Sequence, residues 1–348
     1  MKGIRLRLER LSKRFGRVVA VHALDLEVGA GELVAFLGPS GCGKTTTLLM
    51  IAGIYQPTSG AIYFDDRRVD HLHPRDRDVG MVFQSYALYP HLTLFENIAF
   101  PLRLKRLPAG EVAARVRRTA ELLGIAPLLD RYPAQVSGGQ QQRAALARAL
   151  VKEPQVLLLD EPLSNLDAQI RVQARGEIRR LQQELGVTTI LVTHDQAEAL
   201  AMADRVAVFS TGQLLQVASP DELYRRPATT FVARFVGHPP MNLLDGTFAD
   251  GQFIAGGRRL PLPVRIPPGP GYLGVRPEDL HLQGDLAGRV VVVESLGRQA
   301  LVTVDLDGVE LKVLVDQARR PAVGARVGVG VEVDRVHLFD ASGVRIGP

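Results

Sequence analysis

Between Leu33 and Phe209 the chain alternates short, nearly continuous apolar runs with longer stretches of helical period. Leu33–Leu37, Val79–Phe83, Val156–Leu159, Thr188–Thr193 and Arg205–Phe209 are rich in Val, Ile and Leu, the pattern of strands covered on both faces. Lys44–Ala52, Gln140–Lys152, Ile170–Leu185 and Gln196–Ala203 predict the intervening helices. The alternation predicts an α/β domain with a largely parallel sheet, preceded by antiparallel strands over Ile4–Val28. From about 93 to 135 strand patterns vanish. Ala109–Leu123 instead carries apolar positions at helical spacing with arginines opposite, which predicts an inserted helical subdomain. After Gly237 the prolines at 239–240, 261, 263, 267–268 and 270 break any helix, while Gly288–Glu294, Ala300–Val304, Val309–Val315 and Arg326–Val333 alternate or run β-branched. The expected organisation is an α/β domain over 1–236 and a small all-β, OB-like domain over 237–348.

Composition narrows the classes. The 348 residues contain one cysteine, Cys42, so no disulfide forms within the chain. No apolar run is long enough to span a bilayer, and the charged start after Met1 lacks a secretory core, so a cytoplasmic location is expected. The net charge of +5 is scattered and aromatics are only 5%, too few for single-strand stacking platforms; no nucleic-acid partner is expected.

Candidate chemistry clusters at predicted strand ends. Gly38, Pro39, Ser40, Gly41, Cys42, Gly43, Lys44 and Thr45 form a complete G-x-x-x-x-G-K-T phosphate loop, between a strand and a helix that also carries Thr46. Backbone N–H groups and the helix start suit phosphates, Lys44 reaches their outer oxygens, and the Thr45 hydroxyl suits Mg²⁺. Asp160 and Glu161 end another buried strand: the first suits the metal, the second a water. Gln84 and His194 each follow a further strand, so four strands deliver polar groups to the sheet edge where ligands of parallel sheets sit. Ser137, Gly138, Gly139 and Gln140 read in two ways, as a capping box or as a second anion-binding helix start. The second reading implies two copies sharing each nucleotide. Phe15 reads either as an adenine-stacking ring or as an ordinary strand-end residue.

Together these residues resemble the ATPase subunit of an ABC transporter, over essentially the whole chain. Gly38–Thr45 is similar to the Walker A loop, Val156–Asp160 to Walker B, Gln84 to the Q-loop, Val136–Gln140 to the family signature, Ser164–Asp167 to the D-loop and His194 to the switch histidine. Val136 and Gln141 stand where leucine and arginine are common. The resemblance implies ATP and Mg²⁺ as cofactors, with Thr45, Asp160 and Gln84 as metal-site residues, Lys44, Gln84, Glu161 and His194 as the catalytic set, and Asp167 and Phe15 beside the nucleotide. It also implies a second ATPase subunit, two membrane permease subunits on whose cytoplasmic face this chain sits, and a substrate-binding protein. The tract Gln84–His91 resembles the edge of the groove that receives a membrane subunit. The segments Gly237–Asn242 and Gly274–Glu278 resemble those of maltose-type and glycerol-phosphate-type importers, with a C-terminal domain open to a regulatory protein. Polyamine and other solute importers, and cytosolic ABC ATPases, share the ATPase design and remain as alternatives.

Overall fold

The computed structural model describes residues 3–347, which form two compact units meeting at Pro220 and Asp221. The first unit runs β1 (Leu6–Phe15), β2 (Val18–Val28), β3 (Leu33–Leu37), α1 (Lys44–Ala52), β4 (Ser59–Phe64), β5 (Arg67–Arg68), β6 (Val79–Val82), α2 (Leu94–Leu104), α3 (Ala109–Leu122), α4 (Gly138–Leu150), β7 (Val156–Asp160), α5 (Ala168–Leu185), β8 (Thr188–Thr193), α6 (Gln196–Met202), β9 (Arg205–Ser210) and β10 (Gln213–Ala218). Its main sheet has the order β10-β9-β3-β8-β7-β6, parallel throughout except for the edge strand β10. Every residue of β3, β7 and β8 is buried, which explains why their runs are apolar apart from the threonines of β8 and the terminal Asp160. The opening strands pair as the antiparallel sheet β2-β1-β4-β5, and its Leu6, Leu8 and Leu11 share a core with Phe36, Leu158 and Ile190 of the main sheet.

Parallel strands leave their carboxyl ends on one edge, and the opposite edge, where α1 ends and β6 begins, is braced by an arginine. Arg77, 2% exposed, donates to Met50 O (2.7 Å) and Ile51 O (2.9 Å) at the end of α1 and to Asp70 O (2.8 Å). A guanidinium thus satisfies carbonyls that a helix C-terminus leaves orphaned. The helical insertion has its own core: Leu94, Ile98 and Leu102 of α2 and Val112, Val116 and Ala120 of α3 pack with Ala144 and Ala147 of α4. α2 starts in a capping box between Thr93 and Glu96.

The second unit contains α7 (Pro220–Arg225, whose first residue closes the first unit), α8 (Thr230–Phe235), β11 (Asn242–Ala249), β12 (Gln252–Ala255), β13 (Arg258–Pro261), β14 (Gly269–Val275), β15 (Leu280–Ser295), β16 (Gln299–Asp305), β17 (Glu310–Asp316), β18 (Arg326–Val331) and β19 (His337–Asp340). Two antiparallel sheets, β13-β12-β11-β14-β19 and β17-β16-β15-β18, enclose one core of Phe248, Phe253, Leu273, Val302, Val313 and their neighbours. The unit begins before the expected Gly237 because two short helices precede its strands. Arg276 stacks 3.5 Å from the Tyr224 ring and donates to Tyr224 O and to Val236 O (2.9 Å), fastening both helices to the sheets. Composition changes only at the later prolines, so the pattern placed the boundary there.

Candidate functional site

The loop after β3 is shaped by close backbone packing. A Cβ on Gly38 would lie 2.4 Å from Phe209 O, and one on Gly43 would lie 2.5 Å from Ala20 O. Gly43 also has φ 104°, a conformation that side chains resist. Pro39, Ser40, Gly41 and Cys42 bridge these fixed points, and Lys44, Thr45 and Thr46 form the first turn of α1. That turn carries no acidic residue, so the positive end of the helix faces the loop uncompensated. Lys44 is 5% exposed and donates to Gly38 O (2.7 Å) and Pro39 O (2.9 Å). Cys42 is buried with its Sγ 3.6 Å from Lys44 Nζ, a packing position rather than an accessible nucleophile.

Three parallel neighbours bring the rest of the edge together. Thr45 Oγ1 donates to Asp160 Oδ1 at 3.1 Å. Burial first, and the adjacent Glu161 charge after it, push the Asp160 carboxyl above its ordinary range, against the opposing bond from Thr45 and the charge of Lys44. Glu161 has φ 45°, a strained backbone for a non-glycine residue, of the kind that concentrates at working sites. Its Oε2 accepts from Gln84 Nε2 at 3.2 Å and lies 3.1 Å from His194 Nδ1. Gln84 therefore faces Glu161 rather than the Thr45–Asp160 pair. The pair offers a hydroxyl and a carboxylate oxygen side by side, which fits a hard cation such as Mg²⁺. Among the described residues no group of three or more His, Cys, Asp and Glu could hold a metal, so such an ion would draw its other ligands from phosphate and water.

A second patch lies at the starts of α4 and α5. Ser137 is the N-cap of α4: its Oγ accepts from Gln140 N (3.4 Å) while Gln140 Oε1 accepts from Ser137 N (2.9 Å). The capping box is real, and Gly138 and Gly139 are helical residues inside it, so the helix starts before the expected Gln140. Nothing in this chain demands their smallness. A Cβ on Gly138 would first meet Leu166 at 3.6 Å, and one on Gly139 would first meet Ile170 at 3.6 Å, both ordinary contacts. Asp167 caps α5 by accepting from Ile170 N (3.0 Å). Phe15, 44% exposed at the end of β1, meets Tyr55 edge to face with centroids 5.4 Å apart, and Lys13 Nζ lies 4.9 Å from its centroid. It is a presented ring, not a core residue.

Sequence reasoning singled out Ser164–Asp167 by resemblance, but it missed the bonds that connect these loops and the part of Arg148. Asn165 Nδ2 donates to Gln84 O (2.6 Å) and Ser164 Oγ to Glu161 O (3.0 Å). Arg148 donates to Tyr86 O (2.8 Å) and Ala87 O (2.7 Å), clamping two consecutive residues at φ 61° and 49°. The tract beyond Gln84 thereby edges a groove of about 350 Å³, lined by Met81, Phe83, Tyr89, Phe100 and Pro101 among others. Arg148 lies on α4, some sixty residues along the chain from its acceptors, and no spacing ties it to them.

A phosphate loop between strand and helix, with two carboxylates, a glutamine and a histidine at neighbouring strand ends, defines the class of nucleoside triphosphatases. The family profile described as "ABC transporter" matches residues 21–164, and that of the TOBE domain matches residues 273–339. The chain is 48% identical to the trehalose/maltose import ATP-binding protein MalK of Thermococcus litoralis, over 96% of this chain and 97% of that one. It is 46% identical to the sn-glycerol-3-phosphate import ATP-binding protein UgpC of Chromohalobacter salexigens, over 98% and 95%. Among solved structures, a dimeric ATP-binding cassette in a post-hydrolysis state with ADP and phosphate superposes with a TM-score of 0.55 at 31% identity, covering 62% of this chain and 98% of that one. The chain belongs to the ABC transporter family, and within it to the ATP-hydrolysing subunits.

Proposed function

We propose that this chain powers the import of a carbohydrate or a sugar-like solute, as one of two identical ATPase subunits at the cytoplasmic face of a membrane complex with two permease subunits. Two relatives that match it nearly end to end are importer subunits for trehalose/maltose and for glycerol phosphate, which supports the cargo class. Among the described residues no helix is long and apolar enough to cross a membrane, so the path for cargo belongs to partners. The groove beside Gln84 offers a seat for such a partner, and the second unit a surface for a regulatory protein. Solute would reach the permeases from a binding protein outside.

One observation carries the paired arrangement: α4 begins with two glycines whose side-chain space is open on their own chain. Small residues there suit close approach by an anion from another molecule. In this reading ATP lies between the phosphate loop of one copy and Ser137–Gln140 of its twin, while Phe15 stacks on the base. Closure follows because the γ-phosphate is held from both sides and so favours the closed state differentially. Lys44 and the loop N–H groups neutralise the phosphates. Once Gln84 and His194 turn from Glu161 Oε2 to the γ-phosphoryl oxygens, that carboxylate oxygen orients a water and accepts its proton. Thr45 and Asp160 would hold Mg²⁺, which neutralises charge on the β- and γ-phosphates when bound. ADP and phosphate leave, and the pair reopens.

The test is co-purification with the membrane partners, reconstitution in vesicles, and a screen of binding-protein ligands for stimulated ATP turnover. Stimulation by sugars or sugar phosphates is expected. A panel in which only polyamines or inorganic oxyanions stimulate overturns the cargo assignment.

A further inference from the structure

We propose that Arg171 is a positioning residue for ATP hydrolysis, a single guanidinium joining the loop Ser164–Asp167 to the segment that carries His194. The inference rests on the paired reading, in which that loop faces the second copy. Arg171 sits in the first turn of α5, and its guanidinium spans two structures remote in sequence. Nη2 donates to Leu166 O at 3.0 Å and to Ser164 O at 3.5 Å. Nη1 lies 3.7 Å from Asp195 Oδ2, and Nε lies 4.0 Å from Glu198 Oε1.

Asp195 is the neighbour of His194, and it has no slack. Its Oδ1 caps α6 by accepting from Ala197 N (2.8 Å) and Glu198 N (3.3 Å). Its own N–H donates to Thr193 Oγ1 (3.0 Å), and that hydroxyl donates to Glu198 Oε2 (2.7 Å). Thr193 and Asp195 thus fix the backbone on both sides of the histidine, and Arg171 ties that frame to the loop carbonyls. At its other end the loop is tied to Glu161, since Ser164 Oγ donates to Glu161 O. A shift of Ser164–Leu166 on apposition of a second copy therefore moves the histidine frame and the carboxylate together. Arg175 holds Asp195 independently at 3.0 Å, so removing Arg171 severs the tie to the loop while leaving the carboxylate paired and α6 capped.

A mere helix clamp and a positioning residue separate in a double-mutant cycle on the full chain. Arg171→Ala is expected to keep ATP affinity within about threefold while turnover falls at least roughly tenfold, with Arg171→Lys restoring only part of it because an ammonium lacks the fork. In a His194→Ala background the same substitution should cost less than about twofold more, since its effect runs through the histidine. Additive losses, or affinity falling in step with turnover, overturn the proposal. Should Arg171→Ala fail to fold, Arg171→Met, which keeps the packing of the stem without the donors, carries the same cycle. Sedimentation of Glu161→Gln with ATP separates the two levels of inference. A dimer there with additive losses in the cycle overturns the Arg171 role alone, whereas a monomer at saturating ATP overturns it together with the paired reading.

Discussion

Glu161 and Asp160 are adjacent carboxylates with different environments, and their substitutions should separate binding, turnover and stability. Glu161 makes no contact with the phosphate loop that an amide would abolish, so Glu161→Gln should bind ATP as the parent does. Steady-state turnover should fall by about 10²–10⁴ with the loss of the base; near-parental turnover removes Glu161 from the chemistry. Asp160 is held above its ordinary carboxylate range, chiefly by burial. A raised carboxylate binds its proton more tightly folded than unfolded, so its ionisation opposes folding once pH exceeds the unfolded value. Asp160→Asn should therefore melt higher than the parent at neutral pH in the absence of nucleotide, with the gap closing as pH falls below the carboxylate range. Its Mg²⁺-dependent turnover should be lost at the same time. Thermal melts across pH decide this, and a lower melting temperature at pH 7 contradicts it.

Helix α4 gives a prediction of opposite signs at the scale of the element. Gly139 is a helical residue with room for a methyl group, and alanine is favoured over glycine in helices by about 0.8–1 kcal/mol. Gly139→Ala should stabilise the chain alone, yet it should impair ATP-driven pairing and turnover by crowding the approach of the second copy's nucleotide. Chemical denaturation and sedimentation with ATP read the two effects separately, and unaltered pairing contradicts the second. The strands and helices that frame the site were legible in the sequence because buried parallel strands are rich in Val, Ile and Leu and the phosphate loop has its residues consecutively. Parallel strands share one carboxyl edge, so Gln84, Asp160, Glu161 and His194 could be placed together. What escaped was tertiary. Arg77, Arg148 and Arg171 each satisfy carbonyls or carboxylates dozens of residues away or across a turn, and an arginine's reach leaves no periodic mark. The start of α4 was placed two residues late: expected at Gln140, it lies at Gly138, since a capping box and an anion-binding start use the same backbone geometry.

For the molecule as a whole, the second unit carries a built-in acid sensitivity. His337, 8% exposed, is pushed down to about 4 by burial first and then by the charges of Arg345 and Arg276, and its Nδ1 accepts from Arg345 at 3.0 Å. A histidine lowered on folding contributes stability that is complete above its unfolded value of 6.5 and is lost as pH falls towards 4. The loss is on the order of 3 kcal/mol for this group. Residues 221–347 should accordingly lose protection in hydrogen exchange between pH 6.5 and 4, and His337→Gln should flatten that dependence. An unchanged slope in the variant would assign the acid sensitivity to other groups.

The shared Oε2 of Glu161 has an economic consequence for a cell. While Gln84 and His194 both engage that oxygen, the carboxylate is occupied by its own neighbours and is a poor host for a nucleophile. In the proposed assembly, hydrolysis requires those two side chains to turn from Oε2 to the γ-phosphoryl oxygens as the twin copy and the permease close on the site. In that reading the arrangement is a safety catch that spares fuel when no cargo waits, so in Gln84→Ala the share of turnover that persists without cargo should rise even as total turnover falls.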